Sequence, residues 1–265
     1  MGTALARTVI QNRGERILRV VHGRDARATF LLTTKTPSHK EGLHPFEFGF
    51  FVSSCLCGYL LCVNDVAAIL LAAGRSRRMG AFKPLLPFGD QTVIECCINN
   101  LRDADIKDII VVAGHRADDI REKLKGLDVS IVVNPEPDGA MSVSIAHGVK
   151  KVSGEARAVL VALVDHPAVP PDVIRLLIDE WRQGSKLIQP EHDGRGGHPV
   201  LIDLRFRDEL LSLDPERGLR ALFAAHRAEV RRVRVESPYV ARDMDTWEDY
   251  RRLHEDVFGT LPQGV

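Results

Sequence analysis

The residues best suited to phosphate chemistry stand between and just after two glycines. Residues 71–89 read LAAGRSRRMGAFKPLLPFG, so Gly74 and Gly80 enclose a serine and three arginines, and Lys83 follows. Glycines let the backbone approach a ligand closely, and backbone N–H groups, a hydroxyl and several cations together form a cradle for phosphate. The segment is neither a Walker A loop nor the dinucleotide fingerprint GxGxxG. It predicts a phosphate-binding loop of another type, against the alternative of a solvated basic loop.

Carboxylates stand at positions that suit a metal ion. Asp165 ends an apolar run, and Asp243 and Asp245 are two residues apart, so their side chains share a face if the segment is extended. Carboxylates hold Mg²⁺ while waters and phosphate oxygens complete its octahedron. We predict a metal site of Asp165 and one of the pair, with Asp243 preferred because Asp245 precedes a capping pattern at Thr246. The alternative for all three is helix capping.

The elements that must position these residues alternate regularly from residue 66. Apolar runs typical of buried strands cover 66–74, 108–114, 129–134, 156–165 and 186–191. Helical spacing covers 92–104, 117–124, 141–152 and 170–182. This alternation predicts an α/β fold with a doubly wound, mostly parallel Rossmann-like sheet and helices on both faces. The strands' carboxyl ends then share one edge, where ligands bind. After residue 191 a mixed part completes the domain.

The composition excludes several classes of protein. The 265 residues include 36 basic and 36 acidic side chains and 45% apolar residues, as in a globular chain and not a disordered or collagen-like one. A net charge of zero gives no reason to expect nucleic acid or an anionic membrane as a partner. Five cysteines, an odd number without disulfide-framework spacing, indicate a reducing compartment, and we predict a cytoplasmic protein.

Residues 1–64 differ from the rest and are predicted to form an atypical N-terminal extension of unknown function. They carry eight Lys or Arg against four Asp or Glu. The apolar stretch 48–63 is shorter than the roughly 20 residues that span a bilayer and lies too far along for a secretory signal. A poorly ordered extension, an accessory layer and an upstream region included by choice of start site remain open. The catalytic domain is expected over 65–259, with a tail at 260–265.

The loop and four later landmarks resemble the signature of the MobA-like nucleotidyltransferases, and most of all its molybdenum cofactor cytidylyltransferases. The loop pattern is LAAGxSxRMGxxK, running into LLPFG. The landmarks that follow, in order, are NP…MSxS over 134–144, DxPxV over 165–169, GGHPV at 196–200 and DMDTxEDY at 243–250. The resemblance covers about 190 residues from Val66 and implies the fold of the nucleotide-diphospho-sugar transferases.

An activity is implied by this resemblance. Family members move a nucleoside monophosphate from an NTP to a phosphorylated acceptor and release pyrophosphate. Here the implied substrates are CTP and molybdopterin-bound molybdenum, the cofactor is Mg²⁺ with Mn²⁺ as a substitute, and a molybdenum hydroxylase or its maturation factor is a partner. Ala73 stands where guanylyltransferases usually have Gly, which favours cytosine. A sugar phosphate or other phosphorylated acceptor, and a non-catalytic nucleotide-binding chaperone for a molybdoenzyme, stay open.

Individual residues also receive roles from the resemblance. Lys83, Arg78 and Asp165 are the expected catalytic residues. His198 and Gly197 are expected on the acceptor side, although a lone histidine is more often structural. The expected nucleotide-binding residues are Leu71, Ala72, Ala73, Gly74, Ser76, Arg78, Lys83, Asn134, Ser142 and Ser144.

The sequence departs from the family's usual pattern at several points. Val164-Asp165-His166-Pro167 replaces Gly-Asp-Gln-Pro, which adds bulk beside the carboxylate and puts an imidazole where an amide is usual. Ala140 precedes Met141 where Gly is usual, and Trp247 replaces Pro. None of these changes removes a charged catalytic group, so we expect activity to be retained.

Overall fold

The computed structural model describes residues 5–11, 15–21, 32–35, 65–75, 78–136 and 139–262. The chain divides into two units, Met1–Tyr59 and Leu60–Val265. In the first unit β1 (Leu5–Gln11), β2 (Glu15–Val21) and β3 (Leu32–Lys35) form an antiparallel sheet in that order. The apolar stretch 48–63 and the end of the predicted tail lie outside the described residues. The predicted boundary at residue 64 stays a prediction.

The second unit is built on one wholly buried strand, β4 (Val66–Ala72). The strand β7 (Asp108–Ala113) runs parallel to it on one side and β9 (Ala158–Leu163) on the other. A fourth parallel strand, β8 (Ser130–Val133), pairs with β7. Apolar residues fill both faces of β4 because both faces are covered, as the sequence predicted for a parallel sheet.

The rest of this sheet is mixed. The strand β12 (Val200–Asp203) is antiparallel to β9 and to β10 (Leu187–His192), and β13 (Val230–Arg234) is parallel to β10. The strand β11 (Arg195–Gly196) forms a hairpin with β10. The full order is β11-β10-β12-β9-β4-β7-β8 with β13 beside β10, so the predicted doubly wound, mostly parallel α/β fold is confirmed.

Helices cover both faces of this sheet. Alternate residues of β4 enter different cores: Ala68 and Leu70 join one, Ala67 and Ile69 the other. The first core takes buried residues from α1 (Val93–Asp103), α2 (Ala117–Lys123), α4 (Pro171–Arg182) and α7 (Trp247–Phe258). The second takes them from α3 (Met141–Lys151), α5 (Arg207–Leu211) and α6 (Leu219–Ala225). A short hairpin, β5 (Pro87–Phe88) and β6 (Gln91–Thr92), precedes α1.

The parallel strands end at one edge, and the chain after them carries the candidate site residues. Gly74 follows β4, Asn134 follows β8 and Asp165 follows β9. Backbone bonds fix this edge, because Val164 N donates to Leu71 O and Asn134 N donates to Ala113 O. No helix in the described ranges is long and apolar enough to cross a bilayer.

The contact between α3 and β4 gives a stability prediction. A Cβ added at Gly148 would lie 2.6 Å from Ile69 Cγ2, so Gly148→Ala forces an overpacked helix–sheet contact. We expect the free energy of unfolding in urea to fall by about 1–3 kcal/mol. Gly154→Ala is the control, because nothing lies within 4 Å of its added Cβ. Equal losses in the two variants would contradict this account of the packing.

Candidate functional site

A cavity of about 370 Å³ opens at the carboxyl edge of the parallel strands. Eight of its lining residues are among those predicted from the sequence: Leu71, Ala73, Gly74, Arg78, Lys83, Ser144, Asp165 and Asp245. Four others line it without having been predicted: Gly139, Met141, Leu163 and Val164. These four sit at the start of α3 and the end of β9, where the rule that ligands bind at strand ends could have placed them.

The two predicted phosphate-binding cations meet on one carboxylate. Lys83 is almost wholly buried, and its Nζ lies 2.8 Å from Asp245 Oδ1. Arg78, which is exposed, places Nη1 2.6 Å from Asp245 Oδ2. The Lys83 hydrogen bond holds the pKa of Asp245 below its usual value, the charges of both cations add to this, and partial burial opposes it. A buried lysine needs such a partner, so Asp245 fixes the Nζ position inside the cavity.

The pKa of Asp165 is shifted in the opposite direction from the pKa of Asp245. Its Oδ1 is buried and has no hydrogen-bond partner within the described part of the chain. Burial raises the pKa of Asp165, and the nearby charges of Asp243 and Asp245 raise it further, while His166 and Lys83 oppose the shift. In the described part of the chain, the nearby cations therefore do not offset the cost of burying this carboxylate.

The segment before α7 is tied directly to the end of β9. Met244 N donates to Asp165 O at 3.1 Å, and the Met244 side chain is fully buried. Asp243 and Asp245 flank this residue, so both carboxylates are held near Asp165, although only Asp245 lines the cavity. The backbone bond brings together carboxylates that lie almost 80 residues apart in the sequence.

Helix capping does not explain these aspartates. The residue capping α7 is Thr246, which forms a reciprocal pair with Asp249: Asp249 N donates to Thr246 Oγ1, and Thr246 N donates to Asp249 Oδ2. The capping pattern seen in the sequence thus involves neither Asp243 nor Asp245. The helix that follows Asp165 is α4, and its N-cap is Pro170.

A second polar group approaches the cavity from β8 and α3. Asn134 is buried, its Nδ2 donates to Ser144 Oγ at 2.9 Å, and its Oδ1 accepts from Glu136 N. Because Ser144 Oγ already accepts a hydrogen bond, its hydroxyl proton can be donated to a ligand in the cavity. Ser142 is buried but does not line the cavity. Neither serine caps α3, whose N-cap is Ala140.

Gly197 and His198 pack against the 3-10 turn Pro238–Ala241. A Cβ at Gly197 would lie 2.0 Å from Val240 O, and His198 N donates to the same oxygen at 2.8 Å. Glycine is therefore required by packing, whatever its role toward an acceptor. Burial, with a smaller contribution from His166, lowers the pKa of His198 to about 4, so its ring is neutral at physiological pH. Acceptor binding by this pair stays a prediction.

Two further predicted residues stand apart from the cavity lining. The side chain of Ala72 is buried in the first core, so only its backbone could serve a nucleotide. Ser76 lies outside the described residues. Their nucleotide-binding roles stay predictions.

The donor set fits a divalent cation bound together with a nucleotide. No group of three or more His, Cys, Asp or Glu within the described ranges could hold a metal by itself. A cation would instead take two protein carboxylates and complete its octahedron with phosphate oxygens and waters, as Mg²⁺ commonly does. The Asp165 carboxylate, which lines the cavity and whose Oδ1 has no hydrogen-bond partner among the described residues, is best suited to begin that set.

Comparison with known proteins finds relatives similar in sequence and in fold. A molybdenum cofactor cytidylyltransferase of Escherichia coli (strain K12) is 26% identical over 191 residues, which cover 71% of this chain and 95% of the relative. The crystal structure of Rv0371c from Mycobacterium tuberculosis matches with a TM-score of 0.66 and 29% identity, covering 73% and 99% of the two chains. A second structure of Rv0371c, in complex with manganese, matches with a TM-score of 0.63 and 29% identity, covering 72% and 99%.

A nucleotidyl transferase from Methanothermobacter also shares the fold, with a TM-score of 0.64, 27% identity, and coverage of 73% of this chain and 97% of that one. Residues 68–230 match the MobA-like NTP transferase domain, which is more than half of the chain. The matched region includes the cavity residues from Leu71 to Asp165. The chain therefore belongs to the family of MobA-like NTP transferases.

Proposed function

We propose that this protein is a Mg²⁺-dependent cytidylyltransferase that moves CMP from CTP to molybdopterin-bound molybdenum and releases pyrophosphate. The observation that carries the proposal is the pairing, in one cavity, of a buried carboxylate oxygen without a partner and two cations on a phosphate-loop sequence. The likeness to a molybdenum cofactor cytidylyltransferase supports the choice of nucleotide and acceptor. A cytoplasmic location remains a prediction.

In the proposed reaction, Lys83 and Arg78 bind the β- and γ-phosphates of CTP. An ionised phosphate oxygen of the acceptor attacks the α-phosphorus, a new P–O bond forms, and the bond from the α-phosphorus to the bridging oxygen breaks. Pyrophosphate then leaves with the electron pair of that bond, and the two cations stabilise its charge. The attacking oxygen is already ionised at neutral pH, so no general base is required.

The metal in this proposal is held by Asp165 and Asp243, with phosphate oxygens completing the set. A bound divalent cation supplies charge stabilisation at the α-phosphate. Manganese bound to Rv0371c, a relative at 29% identity, supports a divalent metal in this fold and Mn²⁺ as a substitute for Mg²⁺. Asp243 is chosen because Asp245 is already committed to Lys83 and Arg78.

The apolar part of the cavity lining is assigned to the nucleoside. Leu71, Ala73, Met141, Ser144 and Leu163 line it with mostly apolar surface and one hydroxyl that can donate. A flat base can pack on such apolar groups, and the Ser144 hydroxyl can donate to an acceptor atom on its edge or on the ribose. This arrangement supports nucleotide binding, and the preference for cytosine rests on Ala73 and the resemblance.

The proposed reaction can be measured with the purified full-length chain. With Mg²⁺, molybdopterin-bound molybdenum and each of the four NTPs, we expect release of pyrophosphate in a coupled assay, fastest with CTP, and none after chelation of the metal. Release with a sugar phosphate but not with molybdopterin would contradict the proposed acceptor. Tight binding of CTP without turnover on any acceptor would favour a nucleotide-binding chaperone.

Removing the charge of Asp165 should raise the stability of the protein and lower its activity. Burial raises the pKa of Asp165, so its ionisation at neutral pH destabilises the folded protein. This destabilisation disappears below the pKa of the unfolded state, near 3.8. Asp165→Asn should therefore raise the melting temperature at pH 7, by about 2–4 °C for each kcal/mol recovered, and the gain should shrink toward pH 4. Turnover should fall by about a hundredfold or more. Wild-type activity in this variant would refute the metal assignment.

Paired variants distinguish the two other aspartates. Asp243→Asn should weaken Mn²⁺ binding in the presence of CTP by about tenfold or more, because it removes a proposed ligand. Asp245→Asn should instead strengthen binding of metal-free CTP, because Lys83 and Arg78 lose the carboxylate that competes with phosphate. Titration calorimetry and electron paramagnetic resonance of Mn²⁺ measure the two effects. The reverse pattern would make Asp245 the ligand.

A further inference from the structure

His166 lies directly behind the carboxylate of Asp165. Its side chain is 9% exposed, and its Nε2 lies 3.7 Å from Asp165 Oδ1, for which no described residue is a hydrogen-bond partner. The opposite ring nitrogen, Nδ1, lies 3.3 Å from the carbonyl oxygen of Tyr239. The imidazole thus spans the distance between a proposed metal ligand and a separate backbone segment.

That backbone segment leads to the second proposed ligand. Tyr239 belongs to the 3-10 turn Pro238–Ala241, and the chain continues from this turn directly to Asp243. The backbone bond from Met244 N to Asp165 O ties the same two segments at a second point. His166 and this bond therefore bracket Asp243, one before it along the chain and one after it.

Packing alone does not hold the His166 ring in place. The ring lines a small pocket of about 20 Å³, together with Cys97, Asn100 and Pro199. Its aromatic neighbour is His198, at 5.7 Å between ring centroids and tilted by 50°. Because space remains beside the ring, the polar contacts of its two nitrogens have a share in setting its orientation.

We infer that His166 is a positioning residue of the divalent-metal site. Its imidazole keeps the Asp165 carboxylate at a fixed separation from the Tyr239–Asp243 segment, so that the oxygens of Asp165 and Asp243 are spaced for one cation. Residues that hold metal ligands in this way normally contact the ligand on the side away from the metal, as His166 does with the buried Oδ1. The inference rests on the proposed function, because that proposal supplies the metal site.

The chain contains a second histidine–aspartate pair that serves as a control for His166 and Asp165. His192 has the same two contacts as His166: its Nε2 lies 3.4 Å from the carboxylate of the adjacent Asp193, and its Nδ1 lies 3.0 Å from Val235 O. Asp193, however, is 89% exposed and does not line the cavity. Replacing His192 therefore removes an equivalent set of contacts without touching the proposed site.

The experiment measures Mn²⁺ binding to the full-length protein by electron paramagnetic resonance, with and without CTP. His166→Leu should weaken Mn²⁺ binding by about 10–100-fold. His166→Gln should stay within about threefold of wild type, because an amide can span the same two oxygens. His192→Leu should leave Mn²⁺ binding unchanged, and binding of metal-free CTP should be unchanged in all three variants. Urea unfolding of each variant identifies any general loss of stability.

Several outcomes overturn the inference. Wild-type Mn²⁺ affinity in His166→Leu would refute it, and if Asp165→Asn lost the metal in the same assay, the proposed metal site would survive that refutation. Equal losses of Mn²⁺ affinity in His166→Leu and His192→Leu, matched by equal losses of stability, would show a structural role only. Absence of Mn²⁺ binding in the wild type would overturn the inference together with the metal site.

Discussion

The backbone hydrogen bond from Met244 N to Asp165 O is the contact on which the candidate site depends. It joins the end of β9, near the middle of the sheet, to a segment that arrives from the far end of the chain. Three carboxylates gather around this bond, and in the described part of the chain Lys83 and Arg78 pair with Asp245, while His166 Nε2 lies 3.7 Å from Asp165 Oδ1. Burial raises the pKa of Asp165 by more than the charges of His166 and Lys83 offset, and its Oδ1 has no hydrogen-bond partner among the described residues. This local excess of negative charge supports the proposal that a divalent cation accompanies the triphosphate.

This balance resolves an apparent conflict in the overall charge. Residues 65–265 carry a net charge of −4, yet the family to which they belong binds NTPs. Long-range attraction cannot draw a polyanion to such a domain, so the attraction has to be local. In the proposed function Lys83 supplies this local attraction, because it is buried and Asp245 fixes its position. Arg78 is exposed, so solvent screens its charge more strongly than it screens the charge of Lys83.

The sequence predicted the sheet well because its strands are continuous apolar runs buried on both faces, and strand ends then placed Lys83, Ser144 and Asp165 near one edge. The pairing of Lys83 with Asp245 was not predicted. Asp245 lies 162 residues from Lys83 in the sequence. The neighbouring residues instead indicated a helix cap near Asp245, which Thr246 and Asp249 form by themselves. Gly197 is a second example. A Cβ at this position would clash with the carbonyl oxygen of Val240, and nothing in the sequence around Gly197 indicates that contact.

Two histidines have similar local contacts but differ in how exposed the neighbouring aspartate is. His166 and His192 each lie between an adjacent aspartate and a backbone carbonyl, at similar distances. Asp193 is almost fully exposed, so water screens its charge and its pairing has little energetic consequence. The Asp165 side chain is 27% exposed, but its Oδ1 is buried and two other carboxylates lie nearby, so water screens its charge less than that of Asp193. We infer that the imidazole at residue 166, where the family usually has an amide, matters because it lies beside a carboxylate whose Oδ1 has no hydrogen-bond partner among the described residues.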